Sequence, residues 1–152
     1  MDNWDWFSKL HRAVYRKTGG RVGARLGRLP MLLLTTVGRK SGQERTSTLA
    51  CLEDGDDLVV VASNNGRDQH PAWWLNLTAN PEAGVQFGRE HRRVRAECAG
   101  PEERSRLWPL LTAKNPHYER YASKTRREIP VVILRALPSA AELAADTRRN
   151  PT

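Results

Sequence analysis

The stretch Met31-Leu32-Leu33-Leu34-Thr35-Thr36-Val37-Gly38-Arg39-Lys40-Ser41-Gly42 decides how this chain folds. A β-prone run enters a turn bounded by two glycines, which permit positive φ and close backbone approach. Arg45 to Leu52 then returns as a second strand, and Asp54-Gly55 supplies hairpin chemistry. Leu58 to Ser63 follows as a third strand, so rich in Val and Leu that both of its faces should be buried. These three strands form a meander.

Beyond it, a polar loop from Asn64 to His70 leads into a helix entered at Pro71, which carries Trp73, Trp74, Leu75 and Leu77 and ends before Asn80-Pro81. Val85 to Gly88 and Arg92 to Cys98 alternate as a hairpin around Arg89-Glu90. Pro101 opens a helix with Leu107, Trp108, Leu110 and Leu111 as its apolar stripe. Asn115 to Lys124 reads as a short polar-aromatic turn or helix, and Pro130 to Leu134 as a last strand. From Pro138 the tail looks frayed or weakly helical. Before the meander, Trp4, Phe7, Leu10 or His11, and Val14 recur at three- and four-residue steps, so Asp2 to Thr18 reads as a basic amphipathic helix. Gly19-Gly20 ends it, and a basic connector runs to Pro30.

About six strands with interspersed helices and no β-α-β alternation predict an α+β domain around an antiparallel, barrel-like sheet. Its parts would be an N-terminal helix and connector over 1–29, the barrel over 30–137 and a tail over 138–152.

The 152 residues are 39% hydrophobic and 28% charged, which suits one globular domain and excludes a disordered or fibrous chain. No apolar run reaches the roughly 18 residues that span a bilayer, and no apolar signal core precedes a cleavage site; the chain is read as cytoplasmic. Cys51 and Cys98 match no metal-ligand spacing and are expected to be buried free thiols. The net charge of +8 implies an anionic partner, and five of those charges are the balance of residues 1–30.

Three constellations carry chemistry. Gly38-Arg39-Lys40-Ser41-Gly42 with Arg45 offers backbone N–H groups, a hydroxyl and cations to phosphate or carboxylate oxygens, or is a solvated basic turn. Ala62-Ser63-Asn64-Asn65-Gly66, leading through His70-Pro71 to Trp73 and Asn76, suits a planar polar ring held by backbone contacts, or is a capped strand-to-helix loop. Asn115-Pro116-His117-Tyr118-Glu119-Arg120-Tyr121 puts two phenols and an imidazole in one turn, able to donate a proton, clamp an aromatic substrate or merely pack. Ser41, Ser47 and Ser63 lack a nucleophile-elbow pattern, so hydrolysis is disfavoured and cofactor chemistry remains.

Taken in order, Leu32 to Gly42, Arg45, the Asp-Gly hairpin, Ala62 to Gly66, His70 to Pro81, Trp108-Pro109 and Arg127-Glu128-Ile129-Pro130 resemble the deazaflavin-dependent nitroreductase family. This is the quinone- and nitroimidazole-reducing branch of the split β-barrel oxidoreductases. The resemblance implies a split barrel that uses reduced coenzyme F-420, an 8-hydroxy-5-deazaflavin with a phosphodiester and an oligoglutamate tail. It implies that Arg39, Lys40, Ser41 and Arg45 hold the phosphate and tail carboxylates. Ala62, Ser63, Asn64 and Asn65 would lie against the ring, and Trp73 and Asn76 would complete the groove. Asn115, Tyr118 and Tyr121 would line the acceptor pocket, where the family often has three tyrosines; the first is Asn115 here. The implied reaction passes a hydride to a quinone-like or nitroaromatic acceptor, with a proton from Ser63, Tyr118, Tyr121 or water. The alternatives are an FMN-dependent split barrel and a non-catalytic deazaflavin-binding protein; no nucleic acid is expected, because no nucleic-acid motif accompanies the charge. Residues 1–20 would either contact a membrane surface or close over the barrel as a lid.

Overall fold

A computed structural model of the chain describes residues 25–26 and 29–149; the amphipathic helix expected over Asp2 to Thr18 lies outside the described residues. The strands are β1 (Arg25–Leu26), β2 (Leu29–Val37), β3 (Glu44–Ala50), β4 (Leu52–Asp54), β5 (Asp57–Val61), β6 (Glu82–Phe87), β7 (Glu90–Cys98) and β8 (Val131–Ala136). The helices are α1 (Ala72–Ala79), α2 (Pro101–Lys114), α3 (His117–Lys124) and α4 (Ala140–Arg149).

All pairings are antiparallel, and the sheet runs β1-β2-β6-β7-β8-β5-β4, with β3 also pairing β2, along Met31 to Val37 on the edge opposite β6. The expected second strand is interrupted at Cys51. Its first part pairs with β2, Leu33 opposite Thr48, and its second with β5, Leu52 opposite Val59. Changing partner at that point curls the sheet into the expected split barrel of an α+β fold.

Strand direction then sorts the connections. β2, β5 and β7 run one way and β6 and β8 the other, so the 38–43 turn, the 62–71 loop and the 125–130 segment all leave from one rim. The hairpin tips at Asp54–Asp57 and Gly88–Arg89 occupy the opposite rim.

Two apolar cores lie on the two faces of the sheet. Leu32, Leu34, Cys51, Leu58, Val60, Val85, Val94, Val132 and Leu134 fill the barrel, and α1 closes it with Trp73 and Leu77. Trp73, Asn76 and Leu77, spaced three and four residues apart, form the buried face of that helix. On the outer face, Val59, Val61, Val131 and Ile133 pack against Leu107, Leu111 and Tyr118 of α2 and α3. β5 is thus buried on both sides, as its composition implied.

Two expectations are corrected. Cys98 is exposed: it ends β7, one step past Val94 and Ala96, where the strand has run beyond the packed interior. Cys51 is the buried thiol, its pKa pushed up to about 12 by burial and by the charge of Glu53. Leu110 is 47% exposed, because Leu107 and Leu111, one helical turn apart, take the sheet-facing side of α2. In the tail, Ser139 and Glu142 form a reciprocal capping box, Oγ accepting from the Glu142 N–H at 3.2 Å and Oε2 from the Ser139 N–H at 2.7 Å. That explains why α4 is a defined helix although its described side chains are mostly exposed. No helix among the described residues is long and apolar enough to cross a membrane.

Candidate active site

The cationic turn is built by short-range bonds. The Gly38 N–H donates to the Gln43 carbonyl at 2.7 Å, the Gly42 N–H to the Gly38 carbonyl at 2.8 Å, and the Gln43 N–H to Ser41 Oγ at 3.1 Å. A Cβ on Gly38 would lie 2.8 Å from Ser41 Oγ and 2.9 Å from the Gln43 carbonyl oxygen, so the tight loop needs glycine there. Asn76 ties the turn to α1: its Oδ1 accepts from the Arg39 N–H at 3.1 Å and from Arg39 Nη1 at 3.3 Å, while its Nδ2 donates to Thr36 Oγ1 at 3.1 Å. Asn76 is only 4% exposed and its amide is spent inside the protein. Arg45 lies opposite Thr36 in the ladder and therefore projects from the same face of the sheet as Thr36. Lys40 and Arg45 are exposed and form no ion pair with a described residue. The two cations are available to an anion from solvent.

The 62–70 loop begins where β5 ends. The Ala62 N–H continues the ladder to the Pro130 carbonyl at 3.0 Å. Ser63 is right-handed helical at φ −77°, ψ −31°, and Asn64, Asn65 and Gly66 follow at φ 47°, 56° and 78°. Asn is among the few non-glycine residues that enter the left-handed region at modest cost, which accounts for the Asn-Asn-Gly sequence. Asn64 Nδ2 donates to the Gln69 carbonyl at 3.0 Å. The Ser63 hydroxyl makes no hydrogen bond to a described residue.

Sequence reasoning gave no role to Arg127, which stands behind this loop. Its guanidinium donates to the carbonyls of Ala62 at 3.2 Å, Ser63 at 2.8 Å and Arg67 at 2.9 Å, and to Nδ1 of His70 at 3.2 Å. Because a guanidinium only donates, His70 accepts through Nδ1 and carries its ring proton on Nε2. Burial and the Arg127 charge lower the His70 pKa below its usual value.

Helix α3 packs on the same loop: a Cβ on Gly66 would sit 3.1 Å from both Cα and the carbonyl oxygen of Tyr121. Asn115 starts the helix by accepting from the His117 N–H at 3.2 Å, and the His117 ring stacks on Tyr121 at 6.2 Å. Tyr118 is 6% exposed; burial raises its phenol pKa, opposed by a hydrogen bond with Asn115. The structure thus brings the 62–70 loop and the aromatic segment together at one rim, with the cationic turn beside α1. Trp73 sits in the barrel core at 8% exposure, and the half-buried Trp74 packs against the same core.

A family model for the F420H(2)-dependent quinone reductases matches residues 6–136. An F420H(2)-dependent quinone reductase of Mycobacterium tuberculosis H37Rv is 42% identical over 130 residues, 83% of this chain and 87% of its own length. A solved structure described as an F420-H2 dependent reductase shares 39% identity at a TM-score of 0.64, covering 72% of this chain and 96% of that one. Another, described as a domain-swapped dimer, shares 32% identity at a TM-score of 0.66 and covers 88% of this chain and 99% of that one.

Proposed function

The chain belongs to the F420H(2)-dependent quinone reductase family, and from that premise we propose that it passes a hydride from reduced coenzyme F-420 to a quinone. The observation that carries the reading is the rim itself, where exposed cations without an ion pair among the described residues, a left-handed backbone turn and a buried phenol meet the needs of an anionic, ring-bearing cofactor and a second planar ligand.

When bound, the reduced deazaflavin supplies the hydride. The chain's residues do the rest. Lys40 and Arg45, with Arg39 and Ser41, receive phosphate and carboxylate oxygens; Asn76 serves by holding Arg39 in place. Ala62 to Asn65 form the wall against the ring, and Trp73 backs the groove from the barrel mouth. Asn115, Tyr118 and Tyr121 face the acceptor. Tyr118, its pKa raised by burial, holds its proton at neutral pH and is available as a donor to an acceptor oxygen that gains negative charge.

Two extensions belong to the same reading. Nitroaromatics are acceptors because they too are flat and electron-poor, and residues 1–20 bring the cytoplasmic enzyme to the membrane surface where lipid-soluble quinones reside. Co-sedimentation with anionic liposomes, with and without residues 1–20, tests the second.

The first test is a titration of the purified protein with coenzyme F-420 and, in parallel, FMN, followed by oxidation of the reduced deazaflavin with menaquinone analogues and nitroaromatics. Tight F-420 binding with quinone turnover is expected. Lys40→Ala with Arg45→Ala should weaken binding by about 1–3 kcal/mol in sum, since both cations are solvent-exposed. Preference for FMN, or tight F-420 binding without turnover of any acceptor, overturns the proposal.

A further inference from the structure

Arg127 reaches across 57 to 65 residues of sequence to the ring-side loop. Four of its hydrogen bonds converge there, three on backbone carbonyls and one on His70. No carboxylate of a described residue touches the guanidinium. Asp68 is one step removed, accepting from Thr125 Oγ1 at 3.0 Å, while the Arg127 N–H donates to that same hydroxyl at 3.3 Å. A charge spent on carbonyls, without a carboxylate in contact, fixes backbone direction.

The direction follows from peptide geometry. In a trans peptide the N–H points opposite to the C=O, and no described peptide is cis. With the Ala62 and Ser63 carbonyls turned toward Arg127, the N–H groups of Ser63 and Asn64 are turned away from it. Neither N–H donates to a described residue. Ser63 in the right-handed and Asn64 in the left-handed region is also the alternation that gathers successive N–H groups into an anion-binding concavity. A guanidinium on the carbonyl side polarises both peptides and strengthens those donors.

We propose that Arg127 is a positioning residue that holds the 62–67 backbone so that the N–H groups of Ser63 and Asn64 form a preorganised donor pair for an anionic oxygen at the ring-side wall. The inference rests on the functional reading above for the identity of the ligand, but not for the loop geometry. Lysine cannot replace Arg127, because one ammonium cannot span acceptors spread from Ala62 to His70.

The test compares the wild type with Arg127→Lys and Arg127→Ala, first without cofactor. Hydrogen exchange of the Gly66 and Arg67 amides, which donate to the Ser63 and Asn64 carbonyls at 2.9 and 3.1 Å, reports the loop. In Arg127→Lys their exchange should quicken at least about tenfold, with global unfolding by circular dichroism near that of the wild type. The dissociation constant for coenzyme F-420 should rise by a similar factor, and added guanidinium ion, well below denaturing concentrations, should restore part of the loss in Arg127→Ala. Wild-type exchange and wild-type affinity in Arg127→Lys overturn the proposal, whether or not Arg127→Ala folds. A wild-type protein that does not bind coenzyme F-420, alongside fast exchange in Arg127→Lys, supports the positioning role and removes the functional reading instead.

Discussion

Asn76 shows how much a single side chain can do when each of its atoms has a partner. Asn76→Leu keeps the size but leaves the Arg39 N–H and Thr36 hydroxyl without their partner. It should lower stability by about 1–3 kcal/mol in urea unfolding and weaken cofactor binding as the turn loosens. At His70 the sign of the pH effect is set by a depressed pKa. The unfolded histidine titrates near 6.5 and the folded one lower, so the folded state takes up its proton later. Stability from this group is full above about pH 7, declines as pH falls below about 6.5, and levels off under the folded pKa. Melting temperatures from pH 8 to 5 should show that decline, and His70→Gln should flatten it. The glycine-bounded turn carrying Arg39, Lys40 and Ser41 was legible in the sequence because its geometry is local. Arg127 was not. Its partners are more than fifty residues away, and nothing in the spacing of Arg127-Glu128-Ile129-Pro130 announces a bond to Ser63.

Among the elements, α3 and the 64–66 turn form the contact on which the proposed acceptor side of the rim depends. Gly66 combines φ 78° with a backbone neighbour at 3.1 Å, so Gly66→Ala should both strain the turn and push α3 outward. A loss of about 1–3 kcal/mol is expected. Steady-state kinetics should show the quinone KM rising more than the cofactor affinity falls. Strand identity was readable from alternation and from the unbroken Val-Leu run of β5, which two packed faces explain. The interruption at Cys51 was not, because a strand that exchanges one neighbour for another keeps its composition throughout. Nor did the tail's Ala-Arg content reveal how firmly α4 begins, which depends on the Ser139–Glu142 pair.

For the whole molecule, stability resides in the two cores, and the proposed chemistry lies at one rim. Leu34, fully buried inside the barrel, tests that division: Leu34→Ala should cost about 2–5 kcal/mol by chemical denaturation while leaving cofactor affinity nearly unchanged under folding conditions. The hairpin tips at the other rim, joined by the Arg92 bond to the Asp56 carbonyl, include Gly55 and Gly88, and nothing lies within 4 Å of where a Cβ would stand on either. That end therefore offers a handle. A linker or dye spliced in at Arg89 would let the protein be immobilised on an electrode or bead with the rim proposed to react turned to the solution, so that electron flow could be followed on an oriented layer of molecules.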